Sequence, residues 1–214
     1  MIKAILFDLW NTLVYDSSKL KSFEKLLEFL KSFGVKNPHE FIDRFLCIRK
    51  FDSIMQASEH ISRELGCRPE EAEPFVRGFA LQEPKAFPDV ASALGRLRKD
   101  YKLAIISNFI DFTANAVEKS GIEKFFDYRF YSCNLGMIKQ NPEFFRHALR
   151  EMGVKPQEAV MVGDRKFADI EPAERAGIRA VLIKREGFPI GYVEREKFKR
   201  TIKTLDELDK YLRP

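Results

Sequence analysis

The first fourteen residues, MIKAILFDLWNTLV, constrain the fold more than any other stretch of this sequence. The run from Ile2 to Phe7 is mostly apolar, contains β-branched residues and is too short for a helix, which is typical of a strand buried on both faces of a parallel sheet. Asp8 follows directly. Open α/β sheets bind ligands in the crevice at the carboxyl ends of their strands, so we expect a functional carboxylate there.

A helical pattern occupies residues 15–82. Apolar residues recur three and four positions apart in four stripes, and Gly34 and Gly66 are typical helix ends. Asn37, Pro38 and Glu40 have the order of a capped helix start. We therefore predict a core domain of residues 1–14 and 83–214, interrupted by a small helical domain of residues 15–82.

Strands alternate with helices in the rest of the chain, which predicts a doubly wound, mainly parallel α/β sheet covered on both faces. A helix is expected from about Phe112 to Lys119, and Thr204 with Glu207 forms the capping box of a terminal helix. Residues 185–203 are the least regular part of the chain and are predicted to be loop with partial structure. The further predicted strands are Lys102–Ile106, Tyr128–Tyr131, Ala159–Val162 and Ala180–Ile183.

Composition narrows the functional classes. The 37 basic and 32 acidic residues are interspersed and give a net charge of +5, which disfavours a nucleic-acid groove but suits a small anionic substrate. The three cysteines are widely spaced, which favours a reducing, cytoplasmic setting. No apolar run approaches the roughly 18 residues that cross a membrane, and we expect no leader sequence. Nothing in the sequence predicts an oligomeric state.

Polar residues stand at or after four predicted strands: Asp8, Ser107 with Asn108, Lys139, and Asp164 with Asp169. Parallel strands end at the same edge of a sheet, so these groups converge. Two acids with a lysine and a hydroxyl can bind a hard divalent cation and an anion together. We expect the Lys139 ammonium within about 5 Å of the Asp8 carboxylate, where each favours the charged form of the other.

Four motifs give these residues a family resemblance. FDLWNTL resembles the nucleophile motif DxDGTL of the haloacid dehalogenase superfamily, and IISN resembles its second motif. GMIKQNPEFF resembles the lysine motif GxxKPxPxxF, and VGDRKFADIEPAERAGI resembles the acidic motif GDxxxDxxxAxxAG. They follow one another in the family's order, and the insert matches the position of the family's helical cap.

The resemblance implies a role for each residue. Asp8 would form a covalent aspartyl intermediate, Ser107 would donate to the transferring oxyanion and Lys139 would neutralise negative charge. Asn108 and Trp10 would line the substrate site. Mg²⁺ would be held by Asp8, Asp164 and the backbone carbonyl of Trp10. Asp169, expected as the N-cap of the following helix, would orient Asp164 or join the metal ligands.

Trp10 departs from the family pattern, because most family phosphatases have a second aspartate there as general acid and base. An indole has no lone pair for this work. An aromatic residue at this position is a feature of 2-haloacid dehalogenases, whereas Asp164 favours the Mg²⁺-dependent branch. Three readings therefore stay open: a phosphatase acting on a small phosphorylated metabolite, a dehalogenase-like hydrolase, and a weakly active or non-catalytic binding protein.

Substrate choice would depend on the insert. Its cations are the candidates for contact with an anionic substrate, and a cap that closes over the site would exclude water. The candidates to test are four cations of the insert: Arg44, Arg49, Lys50 and Arg63.

Overall fold

The computed structural model describes residues 1–18, 20–110, 116–188 and 197–212. Six strands form one parallel sheet in the order β5-β4-β1-β6-β7-β8, and β2 and β3 form a separate antiparallel pair. The predicted α/β class is confirmed. The strands are β1 (Ala4–Phe7), β2 (Val14–Asp16), β3 (Pro84–Ala86), β4 (Lys102–Ser107), β5 (Tyr128–Tyr131), β6 (Ala159–Gly163), β7 (Arg179–Ile183) and β8 (Thr201–Ile202).

Helices cover the sheet and form the insert. Among the described residues, no helix is long and apolar enough to cross a membrane. The helices are α1 (Ser22–Ser32), α2 (Pro38–Phe45), α3 (Ile54–Leu65), α4 (Pro69–Ala80), α5 (Val90–Leu97), α6 (Ala116–Lys119), α7 (Ser132–Leu135), α8 (Pro142–Met152), α9 (Glu171–Arg175) and α10 (Asp209–Leu212).

Alternation along each strand builds a core on each face of the sheet. In β1, Ile5 and Phe7 pack into one core with residues of α5 and α10. Ala4 and Leu6 point to the other core, which contains residues of α8 and α9. Because both faces of the central strands are buried, the strands read as continuous apolar runs, as the sequence indicated.

The insert has an apolar core of its own, built from residues of α1 to α4 and joined by Ile110 from the α/β part of the chain. Asn37 caps α2 by accepting a hydrogen bond from the backbone N–H of Glu40 (3.5 Å), and Pro38 is the first residue of that helix. Gly66 ends α3 in a left-handed conformation, with φ of 69°. The helix boundaries inside residues 15–82 thus follow the predicted start and stop signals.

Several local predictions need correction. Residues 185–203 were predicted to be loop with partial structure, and the structure identifies one such part: Thr201 and Ile202 form β8 beside β7. The chain enters and leaves the insert through the β2–β3 pair, which the sequence pattern did not indicate. The terminal capping box is present, but it starts a 3₁₀ turn before the short helix α10. Residues 112–115 of the expected helix at Phe112 lie outside the described residues.

A buried arginine ties the sheet to the first loop. Arg185 follows β7 and donates through Nε and Nη2 to the carbonyl of Thr12 (3.1 and 2.8 Å). Its Nη1 contacts both carboxylate oxygens of Asp89 (2.8 Å each), and its guanidinium lies 4.3 Å from the ring centre of Phe87. Asp89 also accepts from the backbone N–H of Leu205 (2.6 Å). We call these residues the Arg185 clamp.

Candidate active site

Asp8 lies at the carboxyl end of the central strand. Phe7 is paired with Ile105 of β4 on one side and with Val162 of β6 on the other. The backbone N–H of Asp8 continues this pairing by donating to the carbonyl of Val162 (2.9 Å). The side chain of Asp8 is therefore held at the point where three neighbouring strands end.

Lys139 reaches this carboxylate from the loop after α7. Its Nζ lies 2.5 Å from Oδ1 of Asp8 and 2.5 Å from Oδ1 of Asp169. The residue is only 1% exposed. Burial alone would lower the pKa of the ammonium, but the carboxylates of Asp169 and Asp8 outweigh it and raise the pKa above its usual value. Lys139 is thus a fixed positive charge between two acids.

Three carboxylates converge beside this lysine. One oxygen each from Asp8, Asp164 and Asp169 lies within 4.8 Å of the others. Oδ2 of Asp164 is buried and has no hydrogen-bond partner among the described residues. Burial, and then the charges of Asp8 and Asp169, raise the pKa of Asp164. A buried carboxylate oxygen without a donor, next to two other acids, fits a hard divalent cation such as Mg²⁺.

Asp169 differs from Asp164 because both of its oxygens accept hydrogen bonds. Oδ1 accepts from Lys139, and Oδ2 accepts from the backbone N–H of Arg165 (2.9 Å). Asp169 lies in a π-helical turn, Lys166–Ile170, and α9 begins only at Glu171. The prediction that Asp169 is the N-cap of the following helix was therefore wrong: its carboxylate closes the turn before that helix.

Gly163 makes this arrangement possible. It is the last residue of β6, and the side chain of Asp169 packs directly against its backbone. A Cβ atom at this position would lie 2.5 Å from the Cβ of Asp169, which is closer than carbon atoms approach. The absence of a side chain at Gly163 therefore allows Asp169 to reach Lys139.

Ser107 and Asn108 end the neighbouring strand and line the same cavity as Asp8. Ser107 is buried and its Oγ makes a long hydrogen bond (3.4 Å) to the carbonyl of Asn108. Oδ1 of Asn108 accepts from the backbone N–H of Lys139 (2.8 Å), and its Nδ2 donates to Oε1 of Gln140 (2.9 Å). The Asn108 amide therefore holds the lysine loop, and its expected contact with substrate stays a prediction.

Trp10 is half-buried and lines the cavity two residues beyond Asp8. Asn11 has a φ of 58°, in the left-handed region that asparagine tolerates better than most residues. Its backbone N–H donates to the carbonyl of Val14 (2.7 Å), which turns the chain back toward β2. The loop after β1 therefore keeps a tight turn although it lacks glycine at this position.

The cavity has a volume of about 410 Å³ and lies between the strand ends and the insert. The four cations named for testing, Arg44, Arg49, Lys50 and Arg63, are not among the described residues that line it, so the geometry does not support them as substrate contacts. Arg44 and Arg63 instead form exposed pairs within their own helices. The insert, residues 15–82, contributes to the lining Asp16, Ser18, Lys21, Phe23, Glu24, His39, Ile42, Asp43, Cys47 and Gln82.

Sequence reasoning missed Asp43, Gln140 and Arg165. Asp43 is a buried acid on α2, and its Oδ2 accepts from Gln140 and Arg165 of the α/β part. The signal was weak: Gln140 and Arg165 directly follow Lys139 and Asp164 in sequence, but nothing paired them with an acid in the insert. Long-range ion pairs of this kind leave no periodicity to detect.

The family model for haloacid dehalogenase-like hydrolases matches residues 2–177. The chain is similar to a glyceraldehyde 3-phosphate phosphatase of Methanopyrus kandleri, with 32% identity over 86% of this chain and 85% of that protein. It is also similar to a phosphoserine phosphatase of Thermus thermophilus, with 32% identity over 57% and 51% of the two chains.

Solved structures give the same overall fold. A 2-haloacid dehalogenase from Pseudomonas syringae has a TM-score of 0.66 and 26% identity, covering 98% of this chain and 97% of that chain. A phosphatase of the haloacid dehalogenase type from Thermococcus onnurineus has a TM-score of 0.63 and 24% identity, covering 99% and 98%. A phosphatase and a dehalogenase therefore share this architecture.

Proposed function

Because the chain belongs to the haloacid dehalogenase-like hydrolases, we propose that it is a phosphatase acting on a small phosphorylated metabolite through Asp8. The predicted superfamily is confirmed by the family match over residues 2–177. The observation that carries the proposal is the contact of the buried Lys139 ammonium with Asp8 at 2.5 Å, beside the unpartnered oxygen of Asp164. That arrangement supplies a carboxylate nucleophile and positive charge for an incoming anion.

In the proposed reaction the Asp8 carboxylate attacks the phosphorus atom and the bond to the leaving oxygen breaks. This forms an aspartyl-phosphate, and attack of water on it releases phosphate and restores Asp8. Lys139 keeps its charge throughout and stabilises the negative charge of the transferring group. Ser107 donates its weakly held hydroxyl to one of the phosphoryl oxygens. Asn108 holds the lysine loop in place.

We propose that Asp8, Asp164 and the backbone carbonyl of Trp10 hold Mg²⁺. When bound, this cation offsets the repulsion between a carboxylate nucleophile and a phosphate dianion. Asp169 is engaged on both oxygens, so its role in the proposal is to orient Lys139 and the Asp164 loop. Asp164 is thus proposed as a metal ligand and Asp169 as a positioning residue, two roles that the sequence did not separate.

We propose that the helical insert acts as a cap. Its side chains form one wall of the cavity, and the strand ends form the other. A cap in this position separates the site from bulk water and limits the size of the leaving group. A cavity of about 410 Å³ is at the small end of the range for ligand sites, which suits a metabolite rather than a polymer.

The proton for the leaving group cannot come from the indole of Trp10, which has no acidic proton or lone pair of use here. The cavity contains two further acids besides Asp43: Asp16 and Glu24. Oδ1 of Asp16 accepts from the backbone N–H groups of Ser18 and Glu83 (3.0 Å each), which keeps this carboxylate in the β2–β3 region. Glu24 of α1 is the candidate that faces the cavity from the insert.

The presence of Trp10 beside Asp8 favours a second candidate function, that of a dehalogenase-like hydrolase. In that reaction Asp8 would displace halide from a 2-haloacid and water would cleave the resulting ester, so no leaving-group proton is required. An aromatic wall beside the nucleophile suits an apolar carbon–halogen bond. The three-acid cluster favours the phosphatase, because a displacement of halide does not call for a divalent cation.

One assay separates these candidates. Purified protein is screened with an aryl phosphate, a panel of metabolite phosphates and 2-chloropropionate, each with and without Mg²⁺. We expect Mg²⁺-dependent release of phosphate, and we expect Asp8→Asn to reduce it by a factor on the order of 10⁴ or more. Halide release without metal would favour the dehalogenase. Absence of both activities, with a folded protein, would contradict the proposal.

A further inference from the structure

We propose that Asp43, on helix α2 of the insert, is a positioning residue that fixes the Lys139 loop and the Asp164–Asp169 loop relative to each other. The catalytic consequence rests on the proposed function, but the positioning itself does not. Asp43 is the point where the insert touches both loops through a single side chain. The site is then complete only when the insert is docked.

One oxygen of Asp43 joins the two loops. Oδ2 accepts from Nε2 of Gln140 at 2.6 Å and from Nη2 of Arg165 at 2.8 Å. The side chain of Asp43 is 5% exposed and that of Arg165 is 14% exposed. Because water has little access, these charge-assisted hydrogen bonds are stronger than a surface pair.

The first branch leads to the lysine. Gln140 is adjacent to Lys139, and its Oε1 accepts from Nδ2 of Asn108 at 2.9 Å. Oδ1 of Asn108 in turn accepts from the backbone N–H of Lys139 at 2.8 Å. Asp43, Gln140 and Asn108 therefore form a continuous hydrogen-bonded path from the insert to the backbone of Lys139.

The second branch leads to the acids. Arg165 directly follows Asp164, and its backbone N–H donates to Oδ2 of Asp169 at 2.9 Å. The other oxygen of Asp169 contacts Lys139 at 2.5 Å. A shift of Arg165 away from Asp43 would therefore disturb both acids and, through Asp169, the same lysine. The two branches meet at Lys139, which contacts Asp8.

A second contact holds the insert against the sheet without Asp43. The hydroxyl of Ser132 donates to the carbonyl of Cys47 at 2.5 Å and accepts from the backbone N–H of Phe109 at 2.8 Å. Ile110 also packs into the core of the insert. Substitution of Asp43 should thus leave the insert docked, so its effect on the loops can be measured in a folded protein.

The decisive experiment measures hydrogen exchange at individual amides by NMR in metal-free protein. The variants are Asp43→Asn and Asp43→Ala, with Glu59→Gln as the matched control, because Glu59 is a half-exposed acid of the insert in a surface pair. We expect exchange of the Lys139 and Arg165 amides to accelerate roughly 10- to 100-fold, the range for losing a hydrogen bond to a charged group. Amides of β1, β4 and β6 should be unchanged.

Unchanged protection of the Lys139 and Arg165 amides in both Asp43 variants would overturn the proposal. Faster exchange throughout the sheet would overturn it too, since Asp43 would then be needed for general stability and not for the two loops. Neither outcome depends on catalysis. Failure of the phosphatase proposal is therefore distinguishable from failure of this one.

Kinetics on an aryl phosphate with Mg²⁺ provide the second arm. We expect Asp43→Asn to lower kcat with little change in KM, because misplaced loops affect the transition state more than binding. Gln140→Leu should lower kcat as well, and the double variant should be less impaired than the two effects multiplied. A raised KM with unchanged kcat would show that Asp43 contacts substrate directly, which contradicts a positioning role.

Discussion

The active-site cluster and the Arg185 clamp are both buried sets of charges, yet they are built differently. In the clamp, the guanidinium of Arg185 donates hydrogen bonds to the carboxylate of Asp89 and to the carbonyl of Thr12. The carboxylate of Asp89 also accepts from the backbone N–H of Leu205. In the candidate active site, Lys139 contacts two acids, a third acid lies beside them, and Oδ2 of that third acid, Asp164, has no partner among the described residues.

The two clusters differ in whether every buried charge has its hydrogen bonds, and this difference distinguishes a stabilising cluster from one that can bind a ligand. A buried charge whose hydrogen bonds are all made rigidifies the structure and leaves nothing for a ligand. An incomplete set costs stability and retains binding capacity, which is why perturbed acids are found at functional sites. The Thr12 carbonyl lies four residues after Asp8, so the clamp stabilises the very loop that the active-site cluster uses.

The largest effect should come from placing an acid beside Asp8, the proposed nucleophile. Trp10→Asp, combined with Asn11→Gly, should raise turnover of alkyl phosphates by up to about 10²–10⁴-fold, the contribution of general acid–base catalysis. Because Trp10 packs partly buried against the core, the melting temperature should fall by a few degrees, which leaves the variant folded. The measurement is kcat on an alkyl and an aryl phosphate, with Trp10→Phe as the control. Vigorous wild-type turnover that the variant does not improve would assign the proton to another acid, with Glu24→Gln as the next test.

Substitution in the Arg185 clamp should affect the stability of the protein and not the chemistry of the site. Arg185→Met should lower the free energy of unfolding by about 3 kcal/mol, because Asp89 is left as a buried charge without its partner. The matched control is Arg96→Met, whose pair with Asp209 is about half exposed and should contribute less than about 1 kcal/mol. Chemical denaturation of both variants gives the two values. Equal losses would remove the distinction between a buried clamp and a surface pair.

A smaller effect of opposite sign is expected at the unpartnered acid. Asp164→Asn should raise the free energy of unfolding by about 1 kcal/mol in metal-free buffer, because it removes a desolvated charge that Asp8 and Asp169 repel. The same variant should lose Mg²⁺ binding in calorimetry. A variant less stable than wild type would mean that the Asp164 charge is compensated after all.

The smallest effect concerns His39, which faces Arg165 across the boundary between insert and sheet. Burial, and then the charge of Arg165, lower the pKa of the His39 imidazole to about 4. The unfolded chain takes up the proton first, so stability is lost as pH falls from about 6.5 toward 4. Between pH 7 and pH 6 the loss should stay below about 1 kcal/mol, because the imidazole of the unfolded chain is only partly protonated there. Titration by NMR gives the pKa directly, and a value near 6.5 would indicate that the insert does not close over the Arg165 side chain.

Much of this fold followed from local patterns. The buried strands at Ile5, Ile105 and Val162 were visible because residues buried on both faces of a sheet must all be apolar. The capped start at Asn37 was visible because hydrogen bonding at a helix end requires specific residue types. Both signals come from interactions between residues that are close together in the sequence.

The rest depended on contacts between distant residues. Strand β8 has two residues, too few to show an alternating pattern, and it exists because β7 offers an unpaired edge. The candidate cations of the insert could not be judged from sequence. Helix periodicity shows which residues share a face, but it does not show which face of the insert lies against the cavity; Arg44, for example, lies on the solvent side of α2. Asp43 and Arg165 are separated by more than half the chain, so their pairing is a property of the packed structure.

The antiparallel pairing of β2 with β3 makes the whole insert, in topological terms, the loop of one β-hairpin. Asp16 lies opposite Pro84, so residues 17–83 start and finish at neighbouring points on the surface of the α/β unit. The entropy of closing a loop rises slowly, by only about 0.6 kcal/mol for each doubling of its length. An ancestor with a short turn in this place could therefore have gained helices there by duplication or recombination at little conformational expense, with the sheet and its acids undisturbed.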